Sequence, residues 1–162
     1  MSILVAIAAA AFVLFTSQSL PTLVASHFDG SGVANGFMPR QFYAWFMLAL
    51  TAGLPLLLTL LPSLLFRSER IRLNLPNRDY WLAPERKSAT VAYLCRHNAR
   101  FATALTLFLC YVHWLVLRAN ATAPPRLSSP QFISGLLAFG AFAVAWFAML
   151  LGRFRKVPRE SA

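Results

Sequence analysis

Acidic side chains are scarce in this chain: five Asp and Glu stand against fifteen Lys and Arg, giving a formal net charge of +10. None of the five lies inside a long apolar run, where a carboxylate-driven transporter buries the acid that carries its ion or proton. Paired-carboxylate catalysis is equally poorly served. Motifs for other chemistry are missing too, with no glycine-rich phosphate loop, no nucleophile elbow and no haem-attachment pattern. No catalytic residue, cofactor or enzyme activity is therefore assigned. Cysteine is also rare. Cys95 and Cys110 fall on one expected helix, where fifteen residues of rise separate them by roughly 22 Å, far beyond disulfide reach. Both are expected as free thiols.

What the chain has in abundance is apolar sequence, 58% of residues against 12% charged. These residues come in long blocks rather than at the spacing of a soluble helix or strand, and the cations sit between and after the blocks. That placement belongs to a membrane protein. Nucleic acid is excluded as a partner, because no basic patch is interleaved with stacking aromatics. Four blocks approach the roughly 20 residues that a span needs: Ser2 to Leu20, Phe42 to Phe66, Phe101 to Leu117 and Gln131 to Leu151. The first lacks the basic flank and cleavage site of a signal peptide and is read as a retained helix. The second contains Gly53, Pro55 and Pro62, which predicts a kink whose freed carbonyls are met by Thr51, Thr59 or a neighbouring helix.

Orientation follows from the cations. Arg67, Arg70, Arg72, Arg78, Arg86, Lys87, Arg96 and Arg100 lie between spans two and three, and Arg153, Arg155, Lys156 and Arg159 follow span four. Those twelve face only Arg40, Arg118 and Arg126 on the other side. The positive-inside rule then puts both termini in the cytoplasm. The expected fold is an all-α integral membrane bundle of four transmembrane helices, N-in/C-in, in the bacterial inner membrane. Its parts are residues 1–66 (two spans and an outer loop at 21–41), a basic cytoplasmic loop and stem at 67–100, two spans at 101–152, and a basic tail at 153–162. Pro84-Glu85 reads as the first turn of a helix, with proline at its first position and an acid near the positive dipole end. Nothing breaks that helix before Asn120, so span three is expected to extend into the cytoplasm as a stem. The stem is read as a solvated or lipid-facing surface, with docking of a cytoplasmic partner as the alternative.

Small residues recur at alternating steps of four and three in two spans. Span one carries Ser2, Ala6, Ala9, Val13 and Thr16; span four carries Ser134, Ala138, Ala141, Ala145, Ala148 and Gly152. Such seams let helix backbones approach closely in lipid. An internal bundle contact is the expectation for both, with a homo-oligomer or membrane-protein partner as the alternative.

The outer loop, LPTLVASHFDGSGVANGFMPR, is read as turns around its glycines and Asn35-Gly36. Within it, Leu20-Pro21, Val24, His27-Phe28, Asp29, Gly32, Gly36 and Arg40 resemble the motif of a bacterial membrane family built on domain of unknown function 1648. The same motif stands at the start of SdpI-like immunity and signalling proteins. Here Ala34-Asn35 replaces the family's usual proline-aspartate pair, and the resemblance covers about the first third of the chain. It implies a non-enzymatic membrane protein acting in immunity, sensing or regulation; an accessory subunit of a larger membrane complex, such as a respiratory assembly, is the alternative.

Three histidines remain. His97, among basic residues on the stem, is read as a surface residue. The topology permits His27, Asp29 and His113 to share one outer polar pocket, whose imidazole and carboxylate groups would suit zinc or copper. The plainer reading has His113 neutral and bonded to a backbone group, with His27 and Asp29 bracing the loop. No ligand-spaced histidine pair exists, so no metal is assigned. Asn120-Ala121-Thr122 matches a glycosylation acceptor and is read as coincidence.

Overall fold

A computed structural model describes residues 3–65 and 74–157; Ser2, Phe66, Arg67, Arg70, Arg72 and Arg159 lie outside the described residues. Helix α1 runs Ile3–Thr16, followed by a single 3-10 turn at Ser17–Ser19. Pro21 cannot continue it, having no N–H to give. A second long helix comprises α2 (Arg40–Leu48), a π turn at Ala49–Gly53, and α3 (Leu54–Leu65). After the one-turn α4 (Arg78–Trp81) come α5 (Pro84–Asn120) and α6 (Ser129–Arg155). Among the described residues, three helices are long and apolar enough to cross a membrane: Arg40–Leu65, Pro84–Asn120 and Ser129–Arg155; Ile3–Ser19 is a shorter apolar helix.

The expected outer loop is a folded hairpin, so the protein is mostly helical but not all-α. Strands β1 (Leu23–Phe28) and β2 (Ala34–Pro39) pair antiparallel, from Leu23 opposite Pro39 to Phe28 opposite Ala34. The register slips beside His27, which relieves a flat edge by local twist. Below the hairpin, α1, β1, α2 and α5 enclose a core of Val13, Leu20, Val24, Tyr43, Met47 and Val116. The burial of these side chains holds the hairpin onto the helices.

The prolines explain the shape of the second long helix. Pro55 has no N–H for the carbonyl of Thr51, and the helix widens to its π turn just before this point. Pro62 likewise leaves the Leu58 carbonyl without its helical donor. Asn98 of α5 supplies one, its Nδ2 donating to Leu58 O. Of the expected partners, the neighbouring helix is the one that serves Leu58. The Thr51 and Thr59 hydroxyls instead bond Met47 O and Pro55 O, one turn back in their own helix.

Helix α6 packs chiefly along α5, through Phe139 on Phe101 and Phe108 and through Trp146 on Phe101 and His97. His97 is accordingly no surface residue; it is 3% exposed. Its ring nitrogen donates to Trp146 O at 3.1 Å, Trp146 Nε1 donates to His97 O at 2.9 Å, and the rings stack at 4.6 Å. The neighbouring Arg96 and Arg100 are exposed.

The two small-residue seams part company. Ala6, Ala9 and Val13 of α1 are buried in the bundle, as expected. On α6, Ser134, Ala138, Ala141, Ala145, Ala148 and Gly152 are all exposed, so the internal contact expected there is not made. The reason is geometric. The aromatic stripe of α6 occupies α5, and Ala141 is two residues from Phe139, about 200° around the helix.

If Asn98 serves the carbonyl that Pro62 vacates, Asn98→Ala should cost about 1 kcal/mol in detergent-solubilised protein. In a Pro62→Ala background, where the helix donates to Leu58 again, the same change should cost clearly less. Thermal unfolding of the four proteins measures both costs; equal costs would refute the pairing.

Candidate functional site: the hairpin and its cleft

Nearly every residue of the sequence motif has a place in building the hairpin. Asp29 organises its turn: Oδ1 accepts from Ser31 N at 2.9 Å, from the Ser31 hydroxyl at 2.7 Å and from Val33 N at 2.9 Å. Those donors, the Ser31 hydroxyl first and then the Val33 amide, hold the exposed carboxyl below its ordinary pKa. Gly32 closes the turn with φ +81°, and a Cβ there would sit 2.2 Å from Leu127 O. Gly36 faces His27 across the strands, and a Cβ at Gly36 would lie 2.9 Å from that of His27. Phe28 packs against the core. Arg40 reaches back from the start of α2, its guanidinium donating to Gln18 O at 3.2 Å and Leu20 O at 3.1 Å. That places a cation at the negative end of the first helix.

The second half of the chain completes this structure. Asn120, at the end of α5, pairs with Ala25 as a strand would: Ala25 N donates to Oδ1 at 2.9 Å, and Nδ2 donates to Ala25 O at 2.9 Å. A single side-chain amide thereby replaces a missing strand partner on β1. Leu127 N bonds Gly32 O at 2.9 Å, and Val33 bridges to Arg126. Sequence reasoning missed Asn120 in this role, since its partner is 95 residues away and no local pattern marks it.

Between hairpin and helices lies a cleft of about 440 Å³. One wall is Ser26, His27, Phe28, Asp29 and Gly30; the other is Val112 and Val116 of α5 with Leu127, Ser129, Phe132 and Ile133. Its lining is mostly apolar, with polar groups from Ser26, His27, Asp29 and Ser129. His27 and Asp29 meet here. His113 is not among the lining residues, so the three-residue polar pocket does not form as expected. Among the described residues, no group of three or more His, Cys, Asp or Glu is placed to hold a metal ion.

His113 sits instead inside the bundle, fully buried, and joins three helices. The Thr16 hydroxyl donates to Phe12 O at 2.6 Å, so it accepts from His113 Nε2, 2.9 Å away. Nε2 therefore carries the proton. Nδ1 then accepts from the Tyr43 hydroxyl at 2.9 Å. The run Tyr43–His113–Thr16–Phe12 has one proton for each link, and it requires a neutral imidazole. Neutrality agrees with the plainer sequence reading, but the partners are side chains of α1 and α2 rather than a backbone group. Phe12 meets the ring edge-on at 5.5 Å, and Tyr43 lies nearly parallel to it at 5.6 Å.

The architecture thus defines a helical membrane protein with a hairpin closing one end of its bundle. Residues 3–52 match the model of a family described as a domain of unknown function (DUF1648). The match takes in α1, the hairpin, α2 and most of the π turn, so the resemblance carried by the hairpin motif is that of the domain itself. No curated protein and no solved structure matches the chain.

The hydrogen-bond run makes a separable forecast. Tyr43→Phe should destabilise the detergent-solubilised protein by about 1 kcal/mol, because it leaves a buried ring nitrogen without its donor. His113→Phe should destabilise it as well, and the double variant should cost less than the sum of the two. Strict additivity in thermal unfolding would refute the direct bond.

Proposed function

We propose that the protein is a non-enzymatic, SdpI-like membrane protein of the bacterial inner membrane, sensing an extracytoplasmic ligand in an immunity or regulatory role. The observation that carries this reading is the cleft under the hairpin. It brings motif residues His27, Phe28 and Asp29 against an apolar wall from α5 and α6. Of the hairpin motif's charged groups, Asp29 is committed to its turn and Arg40 to the end of the first helix. An arrangement of this kind recognises by shape and apolar contact, together with a few polar groups.

In this reading the chain crosses the bilayer four times, with both ends in the cytoplasm. The helix Ile3–Ser19 has a length at the lower bound for a span and is apolar throughout its helical core. The uneven distribution of cations supports the orientation: Arg78, Arg86, Lys87, Arg96, Arg100, Arg153, Arg155 and Lys156 lie away from the hairpin, and Arg40, Arg118 and Arg126 lie near it. A cysteine at Ser31, in an otherwise cysteine-free variant, should react in intact cells with a membrane-impermeant maleimide. A reporter fused after Ala162 should give a cytoplasmic signal. Protection of Ser31→Cys or an external signal from the reporter would overturn the topology.

A second reading, an accessory subunit of a larger membrane complex, is favoured by the exposed seam of α6. Purification in mild detergent separates the two. A free-standing sensor is expected to emerge without a stoichiometric set of other membrane subunits; recovery of such a set would replace the first reading by the second.

A further inference from the structure

The end of the molecule away from the hairpin carries a shelf of arginines and aromatic rings that neither the hairpin nor its cleft uses. We infer that this shelf, centred on Arg153, Trp81 and Tyr93, binds the phosphate of an anionic membrane lipid. The inference rests on the helices crossing a bilayer, but not on the ligand or orientation of the proposed sensor.

The shelf is built, not merely charged. Asn77 stands at the start of α4 with φ 52°, and its Nδ2 donates to Phe154 O at 2.9 Å and Arg155 O at 3.0 Å. Trp81 Nε1 also donates to Phe154 O, at 3.2 Å, and Thr90 Oγ1 donates to Trp81 O at 2.8 Å. These bonds tie α4 across the last turn of α6 and satisfy carbonyls that a helix end leaves without donors. Phe154 is buried at 1% exposure, with its ring edge-on to Trp81 at 5.3 Å and to Tyr93 at 5.8 Å.

On this support lies Arg153, its guanidinium carbon 4.1 Å from the Tyr93 ring centre and 5.5 Å from that of Trp81. Arg86 lies over Tyr80 at 4.1 Å. A ring face attracts the Arg153 cation without taking an N–H donor in a hydrogen bond, so the fork geometry of Arg153 that matches a phosphate is preserved. Among the described residues the local balance is positive: Arg78, Arg86, Lys87, Arg153, Arg155 and Lys156 accompany Asp79 and Glu85. That excess calls for an anion.

The depth argues for a lipid rather than a free phosphate. The apolar run of α6 ends at Leu151, and Arg153 follows within one turn. Trp81, Tyr80 and Tyr93 sit at the same level, where indole and phenol rings settle among headgroups. A phosphodiester held there has an acyl chain alongside the exposed Met149, one turn before Arg153 on the same face of α6. Juxtamembrane cations attract anionic lipids by the same electrostatics.

The test uses the full chain in mild detergent, offered phosphatidylglycerol, phosphatidylcholine or inorganic phosphate. Native mass spectrometry counts retained lipid, and thermal unfolding reports stabilisation. Wild type should retain phosphatidylglycerol over phosphatidylcholine, and Arg153→Gln should reduce that preference about fivefold. Arg126→Gln, at the hairpin end, should leave it unchanged. Should Arg153→Gln fail to fold, the pair Arg155→Gln and Lys156→Gln, outside the ring contacts, must lower the preference instead. Equal retention of the two lipids by wild type, equal losses in Arg153→Gln and Arg126→Gln, or stabilisation by inorganic phosphate equal to that by phosphatidylglycerol would each overturn the proposal.

Discussion

Lipid offers no hydrogen bonds, so polar groups at membrane depth must find partners in the protein. Much of this structure follows from that constraint. Pro62 leaves a carbonyl bare, and Asn98 crosses from α5 to meet it. His113 needs both a donor and an acceptor, and it finds them in Tyr43 and Thr16 on two different helices. His97 and Trp146 exchange hydrogen bonds with each other's backbone carbonyls. Asn98, His113, His97 and Trp146, liabilities if they faced lipid, are cross-links between helices, while Thr51 and Thr59 bond carbonyls of their own helix. Among the described residues, Ser17 Oγ is the buried side-chain oxygen left without a partner.

The same economy shapes the hairpin. Two strands alone are marginal in water, and a third strand or a packed face is needed to hold them. Here the packed face is the core around Val24 and Tyr43, and the substitute for a third strand is the amide of Asn120. The matched domain ends at residue 52, yet its hairpin leans on Asn120, Arg126 and Leu127 from beyond that boundary. The second half is therefore part of how the domain's hairpin is held in this protein, as well as one wall of its cleft.

These dependencies mark what was legible in the sequence. The apolar runs declared the helices, and Pro84 declared the start of α5, because length, hydropathy and the missing N–H of proline act locally. The hairpin was read as turns because its strands are short and interrupted by glycine. Its stability comes from residues distant in sequence, which no local periodicity encodes. His97 was misread for a related reason. Its neighbours Arg96 and Arg100 suggested a solvated stem, but Tyr93, His97 and Phe101 recur at steps of four on one face of α5. That face meets Trp146 and Phe154.

The two small-residue seams carry the same lesson into partner choice. Their spacing is alike, yet α1 buries its seam and α6 presents its seam outward. Small residues permit a close approach without deciding what approaches. On α6 the decision went to the opposite side, where Phe139 and Trp146 provide large ring area for α5 to cover. A helix held on its aromatic side leaves its close-packing stripe for other contacts. It is this division of α6 into a filled face and an open one that keeps the accessory-subunit reading beside the sensor. Neither the cleft nor the arginine shelf depends on which of the two holds, since both are assembled within a single chain.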